Sequence, residues 1–361
     1  MLFLWVSSQH VSASLLFVRN DTMQQEKLLQ KKEQKRSHME QVIIIGAGPC
    51  GLSAAIELKK AGIDALIIEK GAVVQSISNY PTYMIFHSTP ELLEIGEVPF
   101  TTIQEKPSRQ EALNYYRITA KRYQLRIQTY EKVVEVEPLS DGFRLTTQDR
   151  FGDEKSYDTK RVIIATGYFD HPNKLGIPGE ELPKVSSRYT EAHPYTGMNV
   201  AIVGGNNSAV DAALDLERAG ANVTVVYRGA EVSSHVKAWT KPLFLSAAEK
   251  GKINVMYSSA VKEIRKHVIL VQTGDEVVEL ANDFVFTLIG FRPDRSLLQK
   301  LGVSFDEVSG SPAFHPETME TAVPNLYIAG VIAAGYRGNS IFIENGRHHG
   351  KLIAAHIVGQ G

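Results

Sequence analysis

The chain has 361 residues, of which 43% are hydrophobic and 22% are charged, and its formal net charge is −1. This length and composition indicate a globular protein with room for two cores, and the charge gives no electrostatic basis for binding nucleic acid or an anionic membrane. The one cysteine, Cys50, excludes a disulfide within the chain and fits a reducing compartment, so we expect a cytoplasmic protein.

Residues 1–38 differ in character from the rest of the chain. Two apolar stretches, Met1–Val6 and Leu15–Val18, precede a polar, charge-rich run that ends at His38. The pattern does not indicate a signal peptide, because no Lys or Arg precedes the apolar part and no small-residue cleavage site follows it. We expect a disordered leader or an overextended start outside the fold. No run after residue 40 approaches the ~18 apolar residues that span a membrane.

The first predicted strand, Val42–Ile45, leads into a glycine-rich turn and then a helical pattern. The turn consists of Gly46, Ala47, Gly48, Pro49, Cys50 and Gly51. Gly46 permits a tight turn, Gly48 lets the backbone approach a pyrophosphate, and Gly51 lets the helix pack closely on the strand. The next apolar run ends at Glu69, whose carboxylate can accept hydrogen bonds from an adenosine ribose. Together these features predict a dinucleotide site with the pyrophosphate at the helix N-terminus.

The rest of the first half predicts a β-meander and a closing strand. The meander strands are Val133–Pro138, Phe143–Thr147 and Lys155–Asp158. The closing strand, Val162–Ala165, ends in Thr166 and Gly167. Segments 172–183 and 290–293 are rich in proline and glycine, so we expect them to be two crossings between domains.

A second strand, turn and helix begin at Asn199–Val203. The turn consists of Gly204, Gly205, Asn206, Asn207, Ser208 and Ala209. Asn206 takes the place of the second glycine and leaves the backbone less open to a phosphate. The next strand, Val223–Tyr227, ends at Arg228 instead of an acid, with Lys237 further along. A cation there suits the 2′-phosphate of NADP better than the hydroxyl of NAD, the alternative being a solvated surface charge.

The chain after residue 40 repeats the order turn, helix, strand, meander and closing strand, which indicates two copies of one architecture. In the second copy the meander and closing strands are Ala260–Ile264, Val268–Gln272, Glu276–Leu280 and Phe284–Leu288, followed by Gly290. A last strand, Asn325–Ala329, and a helical pattern over Ser340–Val358 are expected to return to the first copy. We predict an α/β fold of two Rossmann-like, three-layer dinucleotide-binding domains. The second, 171–291, is inserted into the first, 39–170 and 292–361.

Two dinucleotide sites in one chain favour a protein in which one nucleotide passes electrons to the other. NADPH carries a hydride, and a flavin accepts two electrons and releases them singly or in pairs. We therefore assign FAD to the first turn and NADPH to the second. A dehydrogenase with a substrate domain would need only one such site.

Besides the two glycine turns, the chain contains two further motifs, Ala165–Gly167 and Leu326–Gly330. Over residues 41–360 these motifs resemble the two-domain flavoprotein reductases related to thioredoxin reductase. Within that group the chain resembles the bacillithiol disulfide reductases in rarer segments, which are Pro49–Gly51, Leu93–Phe100, Met319–Thr321 and Phe342–Arg347.

The resemblance implies an NADPH-dependent, FAD-containing reductase of a low-molecular-weight disulfide, either bacillithiol disulfide or a bacillithiolated redox protein. The resemblance is also compatible with a homo-oligomer. Together, motifs and resemblance assign to FAD the residues Gly46, Gly48, Pro49, Cys50, Gly51, Glu69, Lys70, His87, Val133, Ala165, Thr166, Gly167, Gly330, Val331 and Ile332. They assign to NADPH the residues Gly204, Gly205, Asn206, Asn207, Ser208, Ala209, Arg228, Lys237 and Gly290.

The chain departs from thioredoxin reductase at two places. Ser187 and Thr190 align with the redox cysteine pair, so no dithiol relay exists, and Val331 replaces the Asp that helps anchor the flavin. Electrons then reach a disulfide directly from the flavin or through Cys50. The helix N-terminus is expected to lower the pKa of the Cys50 thiol, and the resemblance implies a mixed disulfide with one bacillithiol. The alternative is that Cys50 is a small packing residue.

Two other functions are compatible with the same motifs. One is a ferredoxin or flavodoxin reductase of this fold, which also lacks the cysteine pair, and the other is a flavin-bound NADPH sensor. No metal site is predicted, because His348, His349 and Glu344 do not make a full ligand set.

Overall fold

The computed structural model describes residues 39–336 and 338–360, and the predicted leader, 1–38, lies outside the described residues. In chain order the strands are β1 (Ile43–Ile45), β2 (Leu66–Ile68), β3 (Arg126–Gln128), β4 (Glu131–Leu139), β5 (Gly142–Asp149), β6 (Glu154–Thr159), β7 (Val162–Ile164), β8 (Val185–Ser186), β9 (Asn199–Val203), β10 (Asn222–Val226), β11 (Ile253–Met256), β12 (Ser259–Ile264), β13 (Val268–Thr273), β14 (Glu276–Ala281), β15 (Phe284–Thr287) and β16 (Leu326–Ile328). The helices are α1 (Pro49–Lys60), α2 (Gln75–Ser78), α3 (Pro90–Leu93), α4 (Arg109–Arg122), α5 (Asn207–Arg218), α6 (Lys241–Glu249), α7 (Ser296–Lys300), α8 (Ile343–Gly346) and α9 (His349–Gly359), with 3₁₀ turns at His193–Tyr195, Gly330–Ala334 and Gly338–Ser340.

The first sheet is parallel and has the strand order β16-β7-β1-β2-β3. In its register Ile44 lies between Ile67 and Ile163. Every residue of β1, β2, β7 and β16 is buried. This explains why these strands are continuous apolar runs in the sequence, since parallel strands covered on both faces have no solvent side to carry polar residues.

The second sheet is also parallel, with the order β11-β10-β9-β15-β8. All its strands lie in the sequence between β7 and β16, which are neighbours in the first sheet. The α/β class and the two parallel sheets are therefore confirmed. This strand order is the one expected if the second domain, or unit, is inserted into the first. The limits of the two units stay a prediction.

Each unit also carries a three-stranded antiparallel meander, β4-β5-β6 in the first and β12-β13-β14 in the second. The predicted meander strands are confirmed to within two residues at each end. Alternating side chains face the core, as in β5, where Phe143 and Leu145 are buried and Arg144 between them is exposed. That alternation made these strands easy to recognise in the sequence.

The two segments expected to cross between the units pair with each other. Pro172 and Phe291 form an isolated antiparallel bridge. The Asn173 N–H donates to the Gly290 carbonyl at 2.9 Å, and the Arg292 N–H donates to the His171 carbonyl at 3.0 Å. The connection is therefore a two-stranded link.

The prediction of one helical segment over Ser340–Val358 is wrong in detail, because the chain turns at Arg347 and His348 between α8 and α9. The turn brings Gly346 and Gly350 against α1. A Cβ on Gly350 would lie 2.5 Å from the Ala54 Cα atom. The chain thus packs closely on α1 at Gly346 and again at Gly350, with a turn between the two helices. Among the described residues, no helix is long and apolar enough to cross a membrane.

Candidate functional site

The first glycine turn (46–51) follows β1 and lies against the end of β7. Gly46 has a φ of +109°, and a Cβ there would lie 2.6 Å from the Ala165 carbonyl oxygen. A Cβ on Gly51 would lie 2.1 Å from the Gly46 carbonyl oxygen. Neither position accepts a side chain without moving backbone atoms, which confirms the predicted steric roles of these two glycines.

Glu69 ties the end of β2 to this turn. Its buried carboxylate accepts hydrogen bonds from the Ala47 N–H at 2.8 Å and the Gly71 N–H at 2.7 Å. Burial raises the pKa of the Glu69 carboxyl group, and the two N–H donors act against that shift. The acid predicted to face the ribose therefore also holds the turn, and each oxygen retains a lone pair for a further donor.

The surface around the first turn has openings and a polar atom that fit a dinucleotide. No atom lies within 4 Å of a Cβ placed on Gly48 or on Gly167. Gly48 is the N-cap residue of α1 and has no side chain that could bond the first N–H groups of the helix, and Pro49 takes the first helical position. The free N–H groups of this helix N-terminus are therefore available to an anion. The Thr166 Oγ1 atom is buried and has no hydrogen-bond partner among the described residues.

Cys50 lies on the first turn of α1, between two glycines from the C-terminal part of the chain. A Cβ on Gly330 or on Gly346 would lie 2.9 Å from the Cys50 Sγ atom. The residue is partly exposed. Burial of the thiol raises the pKa of Cys50 to about 12. The prediction that this pKa is lowered is therefore wrong in direction, because loss of water around the sulfur disfavours the thiolate.

The segment that follows β16 supplies a further polar contact at this site. Gly330, at a φ of +77°, donates its N–H to the His349 Nδ1 atom at 3.1 Å. Nδ1 is thus an acceptor, and burial lowers the pKa of the His349 ring to about 4, so the ring is neutral with its proton on Nε2. Val331 and Ile332 lie in the 3₁₀ turn beyond, and Ile332 is buried.

Lys70 and Val133 are two further residues predicted to contact the flavin. The Lys70 Nζ atom forms an ion pair with Asp170 at 2.8 Å, three residues beyond Gly167. Val133 is buried in the hydrophobic core around the first sheet, at the start of the bulge in β4. The ion pair of Lys70 and Asp170 therefore joins the loop after β2 to the loop after β7.

The second glycine turn (204–209) repeats the backbone geometry of the first. Gly204 has a φ of +142°, and a Cβ there would lie 2.4 Å from the Leu288 carbonyl oxygen. The Gly204 N–H donates to the Val226 carbonyl at 3.1 Å, as the Gly46 N–H does to Ile68 at 2.8 Å. Each turn thus joins the ends of three neighbouring strands at the carboxyl edge of a parallel sheet, where ligands bind in such folds.

Differences from the first turn lie in the side chains. A Cβ on Gly205 would lie 2.4 Å from the Tyr227 ring, so this glycine makes room for an aromatic side chain. Asn206 caps α5, and Ala209 is buried beneath Gly204. Asn206 and Ser208 are exposed at the helix N-terminus, as contacts to a nucleotide require.

Both polar groups of the Asn207 side chain form hydrogen bonds within the protein. Its side-chain amide donates to the His235 carbonyl at 3.0 Å, and its Oδ1 atom accepts from the Lys237 N–H at 3.0 Å. The segment 233–239 is therefore fastened across the N-terminus of α5. The hydrogen bond between Lys237 and Asn207 thus joins two residues that were both predicted to bind the nucleotide.

Arg228 and Lys237 occupy different environments. Arg228 is exposed and lines a cavity of about 250 Å³, which Lys237 does not line. The Lys237 Nζ atom pairs with Asp211 at 3.1 Å and its side chain is only 9% exposed. The structure thus leaves Arg228 available to a phosphate and commits the Lys237 charge to a carboxylate on α5.

His87 faces the second unit. Its ring centre lies 6.3 Å from that of Trp239, and the Lys106 Nζ atom lies 4.3 Å from the Trp239 ring centre. Burial, with Lys237 and Lys106 nearby, lowers the pKa of His87 to about 4. A further contact between the units is the hydrogen bond at 3.0 Å from the Thr82 N–H to the carbonyl of Thr190.

Sequence reasoning missed Trp239, Lys106 and the role of His349. Trp239 and Lys106 lie 133 positions apart and carry no motif, so no pattern in the sequence connects them. His349 had a signal, since it stands one turn after Gly346 in a segment already expected to return to the first unit. Its partner Gly330 was predictable only from the packing of that segment.

A model of the family described as pyridine nucleotide-disulphide oxidoreductase matches residues 43–330. The chain is 49% identical over 321 residues to bacilliredoxin reductase Bdr of Bacillus subtilis, covering 88% of this chain and 98% of that protein. Among solved structures it is similar to bacillithiol disulfide reductase Bdr from Bacillus cereus, with a TM-score of 0.88, 47% identity and coverage of 90% and 100% of the two chains. For the same enzyme from Staphylococcus aureus the TM-score is 0.85 and the identity 45%, with 89% and 99% covered.

Proposed function

The chain belongs to the pyridine nucleotide-disulphide oxidoreductase family, and we propose that it is an NADPH-dependent, FAD-containing reductase that converts bacillithiol disulfide to two bacillithiols. Membership implies the use of a flavin and a pyridine nucleotide. One observation carries the finer assignment: two glycine turns of similar backbone geometry lie at the carboxyl edges of two parallel sheets, one followed by an acid and the other by an arginine.

The first turn would hold FAD. The N-terminus of α1 would face the pyrophosphate, Glu69 would accept from the ribose, and Thr166 has a buried hydroxyl available for a further hydrogen bond. When bound, the flavin accepts a hydride from the nicotinamide and delivers two electrons to the disulfide. The net reaction consumes one NADPH and one proton and forms two thiols from one disulfide.

Cys50 is the protein thiol that we propose takes part in disulfide cleavage. It is the only cysteine of the chain and is partly exposed beside the first turn. Attack requires its thiolate to displace one bacillithiol thiolate, which takes up a proton, and leaves a mixed disulfide between Cys50 and the other bacillithiol. The two electrons from one NADPH, with a second proton, would then reduce this mixed disulfide to the Cys50 thiolate and the second bacillithiol. Because burial raises the pKa of the Cys50 thiol, the thiol is protonated near neutral pH, so turnover through Cys50 rises with pH.

The proposal is tested by NADPH oxidation in the presence of bacillithiol disulfide. We expect oxidation to depend on that substrate and to yield two thiols per NADPH, with slower rates for cystine and oxidised glutathione. Flavodoxin is the control for electron transfer to a protein, and faster reduction of flavodoxin than of the disulfide contradicts the proposal. A flavin that NADPH does not bleach contradicts it as well.

A further inference from the structure

The cavity that Arg228 lines lies between the end of β10 and the second meander, β12-β13-β14. Its other lining residues are Ser258, Ser259, Ala260, Lys262, Gln272 and Gly274, and its volume is about 250 Å³. Arg228 follows β10, and the serines follow β11, the next strand outward from the second glycine turn. The cavity therefore lies on the side of β10 toward which the adenosine end of a dinucleotide extends in this type of fold.

Two backbone hydrogen bonds fix the turn between β11 and β12 beside Arg228. The Ser258 N–H donates to the Gly229 carbonyl at 2.9 Å, and the Ser259 N–H donates to the Tyr227 carbonyl at 3.1 Å. Ser258 has a φ of +49°, in the left-handed region that non-glycine residues seldom adopt. The strained turn is thus attached on both sides of Arg228, and it brings Ser258 to the cavity.

A β-bulge places Lys262 at the same cavity. Val261 pairs with Val271 and Glu263 with Leu270, so Lys262 is the extra residue between them. A bulge changes the direction of the side chain it carries, and bulges are frequent beside active sites. Glu263, the next residue, directs its carboxylate to Arg265, at 2.9 Å and 3.0 Å.

The charges around the cavity favour an anion. Arg228 and Lys262 line it with no carboxylate among its lining residues. Within the part of the chain that the structure describes, no ion pair is formed by either cation, in contrast to Lys237, which is paired with Asp211. Two cations and a hydroxyl group match the donors that a phosphate dianion requires.

We propose that Arg228, Lys262 and the Ser258 hydroxyl together bind the 2′-phosphate of NADPH, so that Lys262 is a specificity-determining residue for the pyridine nucleotide. This deepens the proposed function and rests on its assignment of NADPH to the second turn. Lys262, and not Lys237, is the second cation of the site.

Binding of adenosine 2′,5′-bisphosphate, compared with adenosine 5′-monophosphate, tests the site without turnover. We expect Lys262→Met to weaken binding of the bisphosphate about tenfold and to leave the monophosphate unchanged, because the lost contact is a charge-assisted hydrogen bond to the extra phosphate. Lys262→Arg should restore the preference, and Arg228→Met should weaken bisphosphate binding at least as much. Lys266→Met, an exposed lysine on the adjoining turn that does not line the cavity, is the matched control.

An unchanged ratio of the two affinities in Lys262→Met overturns the proposal, as does an equal loss in Lys266→Met. So does a wild-type protein that does not distinguish the two nucleotides. If the bisphosphate is bound through Lys262 but bacillithiol disulfide is not reduced, the phosphate site stands and only the assigned substrate fails.

Discussion

The Glu69 carboxylate accepts a hydrogen bond from the Ala47 N–H at 2.8 Å, which joins the end of β2 to the first glycine turn across 22 positions of sequence. The same side chain accepts from the Gly71 N–H. One acid thus fixes the turn before any ribose is bound. A change at this position is therefore expected to affect stability and flavin binding together.

Glu69→Gln should destabilise the protein by about 1–3 kcal/mol, because glutamine has one acceptor oxygen for two N–H donors, of which the Ala47 N–H is buried. Chemical unfolding of the flavin-free protein measures this cost, and the flavin-to-protein absorbance ratio after purification should also fall. Glu137→Gln, an exposed change on β4, is the control. Equal stability of the two variants would remove the structural role of Glu69.

Cys50→Ala should retain FAD and its reduction by NADPH but lose turnover of bacillithiol disulfide, since no other cysteine exists to form the mixed disulfide. In the wild type the rate should rise about tenfold per pH unit over the range in which formation of the Cys50 thiolate limits turnover, because the thiol pKa is about 12. Stopped-flow measurements separate flavin reduction from disulfide reduction. Undiminished turnover in Cys50→Ala would give Cys50 a packing role between Gly330 and Gly346.

His349 should make the stability of the protein depend on pH below neutrality. Burial lowers the pKa of its ring in the folded state to about 4, from an ordinary value of 6.5. A lowered pKa means that the contribution is present above pH 6.5 and is lost as the pH falls toward 4, because the unfolded chain binds the proton first. The slope from this one group is at most about 1.4 kcal/mol per pH unit.

The free energy of unfolding of the wild type and of His349→Gln, measured from pH 4 to 7, tests this expectation. Glutamine can still accept from the Gly330 N–H but does not titrate, so the difference between the two proteins should shrink as the pH falls. His267→Gln, an exposed change between β12 and β13, is the control. A difference that does not vary with pH would show that His349 acts by packing alone.

Trp239 should report nucleotide binding through its fluorescence. It follows Lys237, whose N–H is held by Asn207 at the N-terminus of α5, where the pyrophosphate would bind. In a Trp5→Phe background, which leaves a single tryptophan, we expect NADP⁺ to change the emission of Trp239. Asn207→Ala should reduce that change by releasing the segment. Loss of the signal in Lys106→Met, with nucleotide binding intact, would instead assign it to the Lys106 contact at 4.3 Å.

Local chemistry was sufficient to predict much of this protein. Val42–Ile45 and Asn199–Val203 are buried apolar strands, and glycine is required at Gly46 because of its positive φ. Such features depend on residues a few positions apart, so strand, turn, helix and acid could be recognised in order. The alternation of polar and apolar residues likewise predicted both meanders.

Only the tertiary structure decided which distant side chains meet and what surrounds them. The Cys50 thiol has a raised pKa because it is buried, in a place where Gly330 and Gly346, nearly 300 positions away, lie close to its sulfur. Lys262 reaches the cavity of Arg228 through a bulge and two backbone hydrogen bonds, and Lys237 pairs with Asp211. The dipole of a helix can be inferred from its sequence, whereas desolvation and ion pairing depend on neighbours that only folding provides.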